Sequence, residues 1–282
     1  MALIRSVLIT GCSSGIGRCL AEGLHQRGYR VFATARKAGD VEALTELGLE
    51  ALPLDLASSV SIQQAVEEVL TRTGGRIYAL INNGAYGQPG AVEDLSRDLL
   101  RIQFETNLFG THELTTRVLP AMRMAGEGRI LQISSVLGLA AMAYRGAYNA
   151  SKYALEGLSD TLRLELRGTN IHVSLIEPGP IRSRFRENAL AAFRANIDIE
   201  HSIHHRLYAS VLKRLEGRKG RMPFTLGPEA VLDKSLHALE SPKPRPRYYV
   251  TVPTYIFAWC KRLLPIRWLD NILYRAGDRA ED

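Results

Sequence analysis

The chain has 282 residues, 46% hydrophobic and 23% charged, with a net charge of +7. This balance excludes a disordered chain and a small disulfide scaffold, and the length suits two average domains or one large α/β domain. The three cysteines, Cys12, Cys19 and Cys260, show no metal-ligand spacing, which fits a reducing compartment.

Short apolar runs alternate with longer amphipathic stretches, the pattern of βα repeats around a parallel sheet. The first predicted strand, Ser6–Thr10, runs into a glycine-rich turn and a predicted helix over Ile16–Arg27. Predicted strand Arg30–Ala35, helix Val41–Leu47, strand Glu50–Leu54 and helix Ser59–Thr71 follow. Strand Ile77–Asn82, helix Gln103–Met124, strand Arg129–Ser134, helix Ala147–Arg167 and strand Ile171–Glu177 continue the alternation. Helix Pro228–Leu239 and strand Tyr248–Val252 are the last predicted pair. The strands lack in/out alternation, as strands covered on both faces should. Gly28, Gly48, Gly126 and Gly168 stand just past helix ends, a common C-cap position.

The charge is local. Residues 1–181 carry a net −1, residues 182–222 a net +6 and residues 243–282 a net +4. The basic segments read as solvated arginine-rich surfaces or as attraction to an anionic cofactor or membrane surface. No nucleic-acid motif accompanies them, so no nucleic-acid partner is expected. Residues 182–222 fit no strand–helix unit and read as an insertion over the sheet edge. No uncharged apolar run approaches the ~18 residues of a membrane span. The first motif begins at Thr10, which leaves no room for a cleavable signal peptide, and the expected location is cytoplasmic.

Thr10, Arg36, Asp55, Asn82, Ser134, Ser135 and Pro178-Gly179 all fall just after predicted strands. In an open parallel sheet, ligands bind beyond the carboxyl ends of the strands. Thr10-Gly-Cys-Ser-Ser-Gly-Ile-Gly17 links the first strand to the first helix. Gly11 permits a tight turn; Gly15 and Gly17 let the backbone approach a pyrophosphate at the helix N-terminus. Thr10, Ser13, Ser14 and Ile16 complete this expected phosphate loop, and Cys12 is read as a small filler inside it. An acid at the end of the second strand would bind the ribose hydroxyls of NAD; here Ala35 is followed by Arg36 and Lys37. Two cations and no carboxylate favour the 2′-phosphate of NADP, unless they serve loop solvation alone. Asp55, with Leu56, either meets the adenine or caps the next helix.

Tyr148 and Lys152 sit four apart on a predicted helix, hence on one face. A neighbouring ammonium and an oxidised nicotinamide would favour the phenolate of Tyr148. The phenol would then give a proton to a carbonyl being reduced, or take one from an alcohol. Ser135, at a strand end, is placed to hydrogen-bond the same oxygen.

These residues together resemble the short-chain dehydrogenase/reductase family over residues 4–182, with matching elements through about 252. The resemblance is carried by the glycine loop, Asp55, Asn82-Asn83, Asn107, Ser134-Ser135, Tyr148 with Lys152, and Pro178-Gly179. It implies one dinucleotide-binding oxidoreductase domain over 1–282. Its core is a doubly wound, mainly parallel seven-stranded Rossmann-type sheet with helices on both faces. It implies a Ser135–Tyr148–Lys152 centre with Asn107 ordering a water relay to Lys152. It also places Asn82, Asn83 and Gly84 at the adenosine, and Pro178, Gly179, Ile181 and Ser183 at the nicotinamide. The family commonly forms dimers or tetramers through the helices holding Asn107 and Tyr148. Ala33-Thr-Ala-Arg36 looks like the NADP-preferring branch of 17β-hydroxysteroid and retinol dehydrogenases. Ser174–Arg182 and Phe224–Glu229 look like bacterial NADP-dependent aldehyde reductases of that branch. One departure stands out: the usual Asn-Asn-Ala-Gly reads Asn82-Asn83-Gly84-Ala85, and Ala85 would be strained if its position needed a positive φ.

Residues 182–222 are expected to form a helical lid. Leu190, Phe193, Ile197, Ile203, Leu207, Tyr208 and Leu212 either line an apolar pocket or pack the lid on the body. His201, His204 and His205 lack the ligand set of a metal site, and no metal is expected. The tail, residues 253–282, mixes Trp, Leu and basic residues. It either packs on this subunit or a partner, or lies as an amphipathic anchor on a membrane surface. The expected activity is reversible NADPH-dependent reduction of a hydrophobic aldehyde or ketone. The alternatives are a hydroxysteroid or retinol dehydrogenase working oxidatively, and an NADP(H) sensor without useful catalysis.

Overall fold

The computed structural model describes residues 4–216 and 224–278. Its strands are β1 Ser6–Ile9, β2 Arg30–Ala35, β3 Glu50–Pro53, β4 Ala79–Asn82, β5 Gly128–Ile133, β6 Ile171–Glu177 and β7 Arg247–Tyr249. All neighbours pair in parallel, in the order β3-β2-β1-β4-β5-β6-β7. The helices are α1 Gly15–Gln26, α2 Ala38–Glu46, α3 Ser59–Thr73, α4 Arg97–Phe104, α5 Gly110–Ala125 and α6 Gly146–Glu165. They continue with α7 Phe185–Asn196, α8 His205–Glu216, α9 Glu229–Glu240, α10 Val252–Leu263 and α11 Ile266–Asp278.

The missing alternation has a direct cause. Val7 and Ile9 of β1 join one core with Leu20 and Leu24 of α1, Leu44 of α2 and Leu239 of α9. Leu8, between them, joins a second core with Ile62 of α3 and Leu114 and Val118 of α5. Both faces of the strand are therefore covered, and each such fully buried aliphatic side chain contributes about 1.5–3 kcal/mol. The strand order reverses between β1 and β4, and the carboxyl ends diverge there into a crevice.

The predicted helix at Gln103 begins earlier than expected. Ser96 caps α4 by accepting the Leu99 N–H at 3.2 Å. Between α4 and α5 lies a π-helical turn, Glu105–Phe109. A Cβ at Gly110 would lie 1.7 Å from the Leu56 carbonyl oxygen, so the loop after β3 presses directly on this turn.

Between β6 and α9, helices α7 and α8 make a third core. Phe193, Ile197 and Tyr208 pack with Ala91, Leu95 and Ala147, and Leu212 rests against them. The Tyr208 phenol donates to Asp94 and accepts the Ala91 N–H at 2.9 Å. Ser202 also donates to Asp94, at 2.6 Å. Four of the seven expected pocket residues therefore fasten the segment to the body, and Ile203 and Leu207 face outward. Leu190 is half-buried. The histidines go to separate partners: His201 to Asp198, His204 to Glu93, His205 to the Ser202 carbonyl. Residues 217–222 of the expected lid and 279–282 of the tail lie outside the described residues.

Candidate active site

The chain turns immediately after β1. Gly11 has φ +71°, and a Cβ there would lie 2.7 Å from the Gly84 Cα. Thr10 Oγ1 accepts the N–H groups of Asn83 at 2.9 Å and Gly84 at 2.8 Å. Asn83 Nδ2 donates back to the carbonyls of Thr10 at 2.9 Å and Gly11 at 3.1 Å. The loops after β1 and β4 thus form one hydrogen-bonded unit. Ser14 leads into α1 with extended backbone and makes no side-chain cap, and the first turn holds no acid. The Arg18 N–H returns to the Ser14 carbonyl at 3.4 Å. The N–H groups of Gly15, Ile16 and Gly17 have no intrahelical acceptor, which suits an anion. Ser13 is half-buried in the same loop, and Ile16 packs on the core.

Gly17 is demanded by the loop's own packing: its Cβ would lie 2.2 Å from the Gly11 carbonyl oxygen and 2.5 Å from Asn83 Nδ2. Gly17→Ala is expected to cost about 3 kcal/mol through overpacking. Thermal unfolding should show it as a midpoint roughly 6 °C lower; an unchanged midpoint would contradict the packing argument.

At the end of β2, Ala35 is buried, while Arg36 and Lys37 are exposed and form no ion pair among the described residues. Asp55 Oδ1 accepts the Ala57 N–H at 3.0 Å. It does not cap α3; Ser58 does, by accepting the Ser61 N–H. Leu56 is buried in the second core. Asn82 turns its side chain into the protein and donates to Thr115 Oγ1 at 2.9 Å, leaving loop contacts to Asn83. Ala85 carries no strain: among the described residues, only Tyr144 (φ 58°) and Phe224 (φ 65°) are non-glycines at positive φ.

Across the crevice, Tyr148 and Lys152 lie one turn apart on α6, with Lys152 Nζ 5.8 Å from the centre of the Tyr148 ring. Lys152 is 3% exposed and donates to the Ile133 carbonyl at 2.7 Å. Burial lowers its pKa to about 8, against the opposing charge of Glu156. Burial likewise pushes the Tyr148 phenol up to about 12, opposed by the neighbouring Ser135 hydroxyl and the Arg145 charge. In the chain without cofactor, burial therefore holds Tyr148 as a phenol. Ser135 Oγ accepts the Leu137 N–H at 3.1 Å, which fixes its orientation.

Asn107, buried in the π turn, grips Tyr86: its Nδ2 donates to the Tyr86 carbonyl at 2.9 Å and its Oδ1 accepts the Tyr86 N–H at 3.1 Å. The same Nδ2 lies 3.1 Å from Ser151 Oγ, next to Lys152. Gln103 Nε2 also donates to the Tyr86 carbonyl, at 2.8 Å, and its Oε1 accepts the Gln88 N–H at 2.8 Å. Gln88 Oε1 in turn accepts from Asn196, the last residue of α7, at 2.7 Å. Beyond β6, the Pro178 carbonyl accepts the Val136 N–H at 2.8 Å, which ties this loop to the Ser135 turn. Gly179 has no room for a side chain, since a Cβ would lie 2.1 Å from Thr251 Oγ1. Ile181 is half-buried and pairs with Leu226. Ser183 is exposed and close to Gly15, whose Cβ would lie 2.9 Å from the Ser183 Cβ.

Phe185 was missed in the sequence. Its ring packs edge-on against Tyr148, 5.2 Å between centroids, and a Cβ at Gly87 would lie 2.8 Å from it. The only signal was one aromatic residue in an arginine-rich run, two positions after Ser183.

The family description "short chain dehydrogenase" matches residues 5–192. The chain is 46% identical over 269 residues to the uncharacterized oxidoreductase YbbO of Escherichia coli strain K12, spanning 95% of this chain and 94% of that protein. It is 36% identical over 259 residues to human 17-beta-hydroxysteroid dehydrogenase type 1, spanning 87% and 77%. The crystal structure of a short-chain dehydrogenase from Streptomyces avermitilis superposes with a TM-score of 0.75 at 28% identity, covering 99% of this chain and 96% of that one.

Proposed function

We propose a specific reaction for this chain, which belongs to the short-chain dehydrogenase/reductase family and is an oxidoreductase of alcohol and carbonyl groups: reversible NADPH-dependent reduction of a hydrophobic aldehyde or ketone. The observation that carries this reading is the buried Tyr148 phenol beside the Ser135 hydroxyl, with Lys152 one helical turn away. When bound, NADPH supplies a hydride to the carbonyl carbon. Tyr148 gives the phenolic proton to the carbonyl oxygen, and Ser135 holds that oxygen by a hydrogen bond. Lys152 has ammonium protons beyond the one on Ile133, and these stabilise the phenolate left behind. Asn107 keeps the proton route to Lys152 in register through Ser151 and Tyr86.

The loops suit a dinucleotide. Gly11, Ser13, Ser14 and Gly15 and the first N–H groups of α1 would cradle the pyrophosphate, with Thr10 and Gly17 holding the cradle's shape. Asp55, Leu56, Asn82, Asn83 and Gly84 would hold the adenosine, Asn82 by supporting the loop from the core. Pro178, Gly179, Ile181 and Ser183 would hold the nicotinamide. Helices α7 and α8 act as the lid, with Phe185 on the substrate side of Tyr148. A homodimer or homotetramer through α5 and α6 belongs to the same reading.

Arg36 and Lys37, with no acid at the end of β2, favour NADPH. Arg36→Ala removes a charge-assisted bidentate contact, so the ratio of kcat/KM with NADPH to that with NADH should fall roughly ten- to a hundredfold. An unaltered ratio would reduce Arg36 to a solvated loop residue.

The direct test follows NADPH oxidation across medium-chain aldehydes, retinal and steroid ketones, with NADH in parallel. Turnover that rises with chain length supports the reading. Tight NADPH binding with no turnover on any carbonyl would favour a nucleotide sensor instead. The oxidative reading uses the same residues with Tyr148 as base, and the likeness to the human 17-beta-hydroxysteroid dehydrogenase favours including steroid alcohols in the panel.

A further inference from the structure

We propose that the hairpin of α10 and α11, with the cleft at its root, docks on an anionic lipid bilayer. On α10, Val252, Ile256, Trp259 and Leu263 recur at spacings of four, three and four, which places them on one face. That pattern usually marks a buried stripe, yet these residues are between 49% and 70% exposed. The opposite face, with Thr254 and Ala258, is the one buried against the body. Helix α11 packs chiefly on α10, and its Leu269 and Leu273 are half-buried. Its Ile266 and Trp268 are 73% and 65% exposed. An exposed apolar stripe such as that of α10, four residues on one helix face, marks an interaction site.

The cleft at the hairpin's root has a volume of about 270 Å³ and lies between α9, β7 and α10. Lys234, Arg245, Arg247 and Arg262 line it among tyrosines and Trp259, with no carboxylate in the lining. Arg247 is committed to Glu156, Glu177 and Asp160. Lys234, Arg245 and Arg262 form no ion pair among the described residues.

Unpaired cations beside an apolar, aromatic-rich face match a headgroup layer above acyl chains. Tryptophan and tyrosine suit that boundary because each buries a ring and keeps a polar tip wet. A second copy docking here by two-fold symmetry would bring the same cations against one another. A free phosphate would leave the apolar stripe without a partner. Helices of 12 and 13 residues lie in such a layer and do not cross it. Among the described residues no helix is long and apolar enough to span a membrane.

Both tryptophans of the chain, Trp259 and Trp268, are in this hairpin, so intrinsic fluorescence reports on it directly. The full-length protein is titrated with vesicles of phosphatidylcholine mixed with phosphatidylglycerol, with phosphatidylcholine vesicles alone, and with inorganic phosphate at matched ionic strength. The expected result is a blue shift and co-sedimentation with the phosphatidylglycerol vesicles only. The triple variant Lys234→Gln, Arg245→Gln, Arg262→Gln should bind them roughly a hundredfold more weakly. The pair Ile256→Ser, Leu263→Ser keeps both tryptophans and should lose the shift, with thermal unfolding confirming that both variants fold. No shift with the anionic vesicles, an equal shift with neutral ones, or a comparable shift with inorganic phosphate would each overturn the proposal. So would a wild-type dimer that ignores vesicles and is split into monomers by the Ile256→Ser, Leu263→Ser pair.

Discussion

Tyr148→Phe is expected to lower carbonyl reduction about a thousandfold while leaving the NADPH dissociation constant within about twofold. The change removes one hydroxyl and little else. The ring keeps its burial and its edge-on contact with Phe185, 5.2 Å between centroids, so the crevice retains its shape. The loss is that of a positioned general acid, a class of effect worth 10²- to 10⁴-fold. The wild-type pH profile should show where the proton comes from. The phenol, pushed up to about 12 in the free protein, keeps its proton throughout the usable range. Lys152 behind it gives up its own near about 8. Reductive kcat/KM should therefore be level below that pH and decline above it. Turnover by Tyr148→Phe within tenfold of wild type would remove Tyr148 from the reaction.

The second large effect concerns stability as well as rate. Lys152→Met should abolish reduction and raise the unfolding midpoint at neutral pH. Burial lowers the Lys152 pKa from 10.5 to about 8, with Glu156 pulling the other way. Below pH 8 both the folded and unfolded chains carry the proton, and the folded state bears the full cost of a buried ammonium. Between the two pKa values the folded chain has released a proton that the unfolded chain retains, so this group's penalty fades as pH rises. A depression of this size corresponds to about 3 kcal/mol. The lost bond to the Ile133 carbonyl returns about 1 kcal/mol. The net gain of about 2 kcal/mol should raise the midpoint by roughly 4 °C at pH 7. The gain should shrink steadily toward pH 10. A variant less stable than wild type at pH 7 would show that the ammonium is a structural asset, not a functional cost.

Most of the frame could be read from the chain because both faces of the sheet are covered. Val7, Leu8 and Ile9 are all buried, so an unbroken apolar run marked the strand, and the polar residue after each run marked the rim. Placing a residue on the rim did not say where its side chain points. Asn82 and Asn83 are adjacent and chemically identical, yet one faces Thr115 in the core and the other ties two loops together. The π turn at Asn107 depends on how closely Leu56 passes Gly110, a contact between distant segments that no local pattern encodes. Phe193 and Tyr208 had the right chemistry for a pocket and were used as fasteners, because Asp94 and Ala91 offered the Tyr208 hydroxyl its partners. Ala85 departs from the family motif without strain because its position does not take the left-handed backbone that would demand glycine.

The hydrogen-bonded path from Asn196 through Gln88 and Gln103 to Tyr86 and Asn107 has a consequence for how this enzyme can change. The last residue of α7 and the buried amide of Asn107 share one set of supports. With α7 as the proposed lid, choice of substrate and speed of turnover would not be separately adjustable there. A substitution that resets the angle of α7 would also disturb the amides that steady Tyr86. An α7 transplanted from a relative would need an amide at its last residue to keep this path.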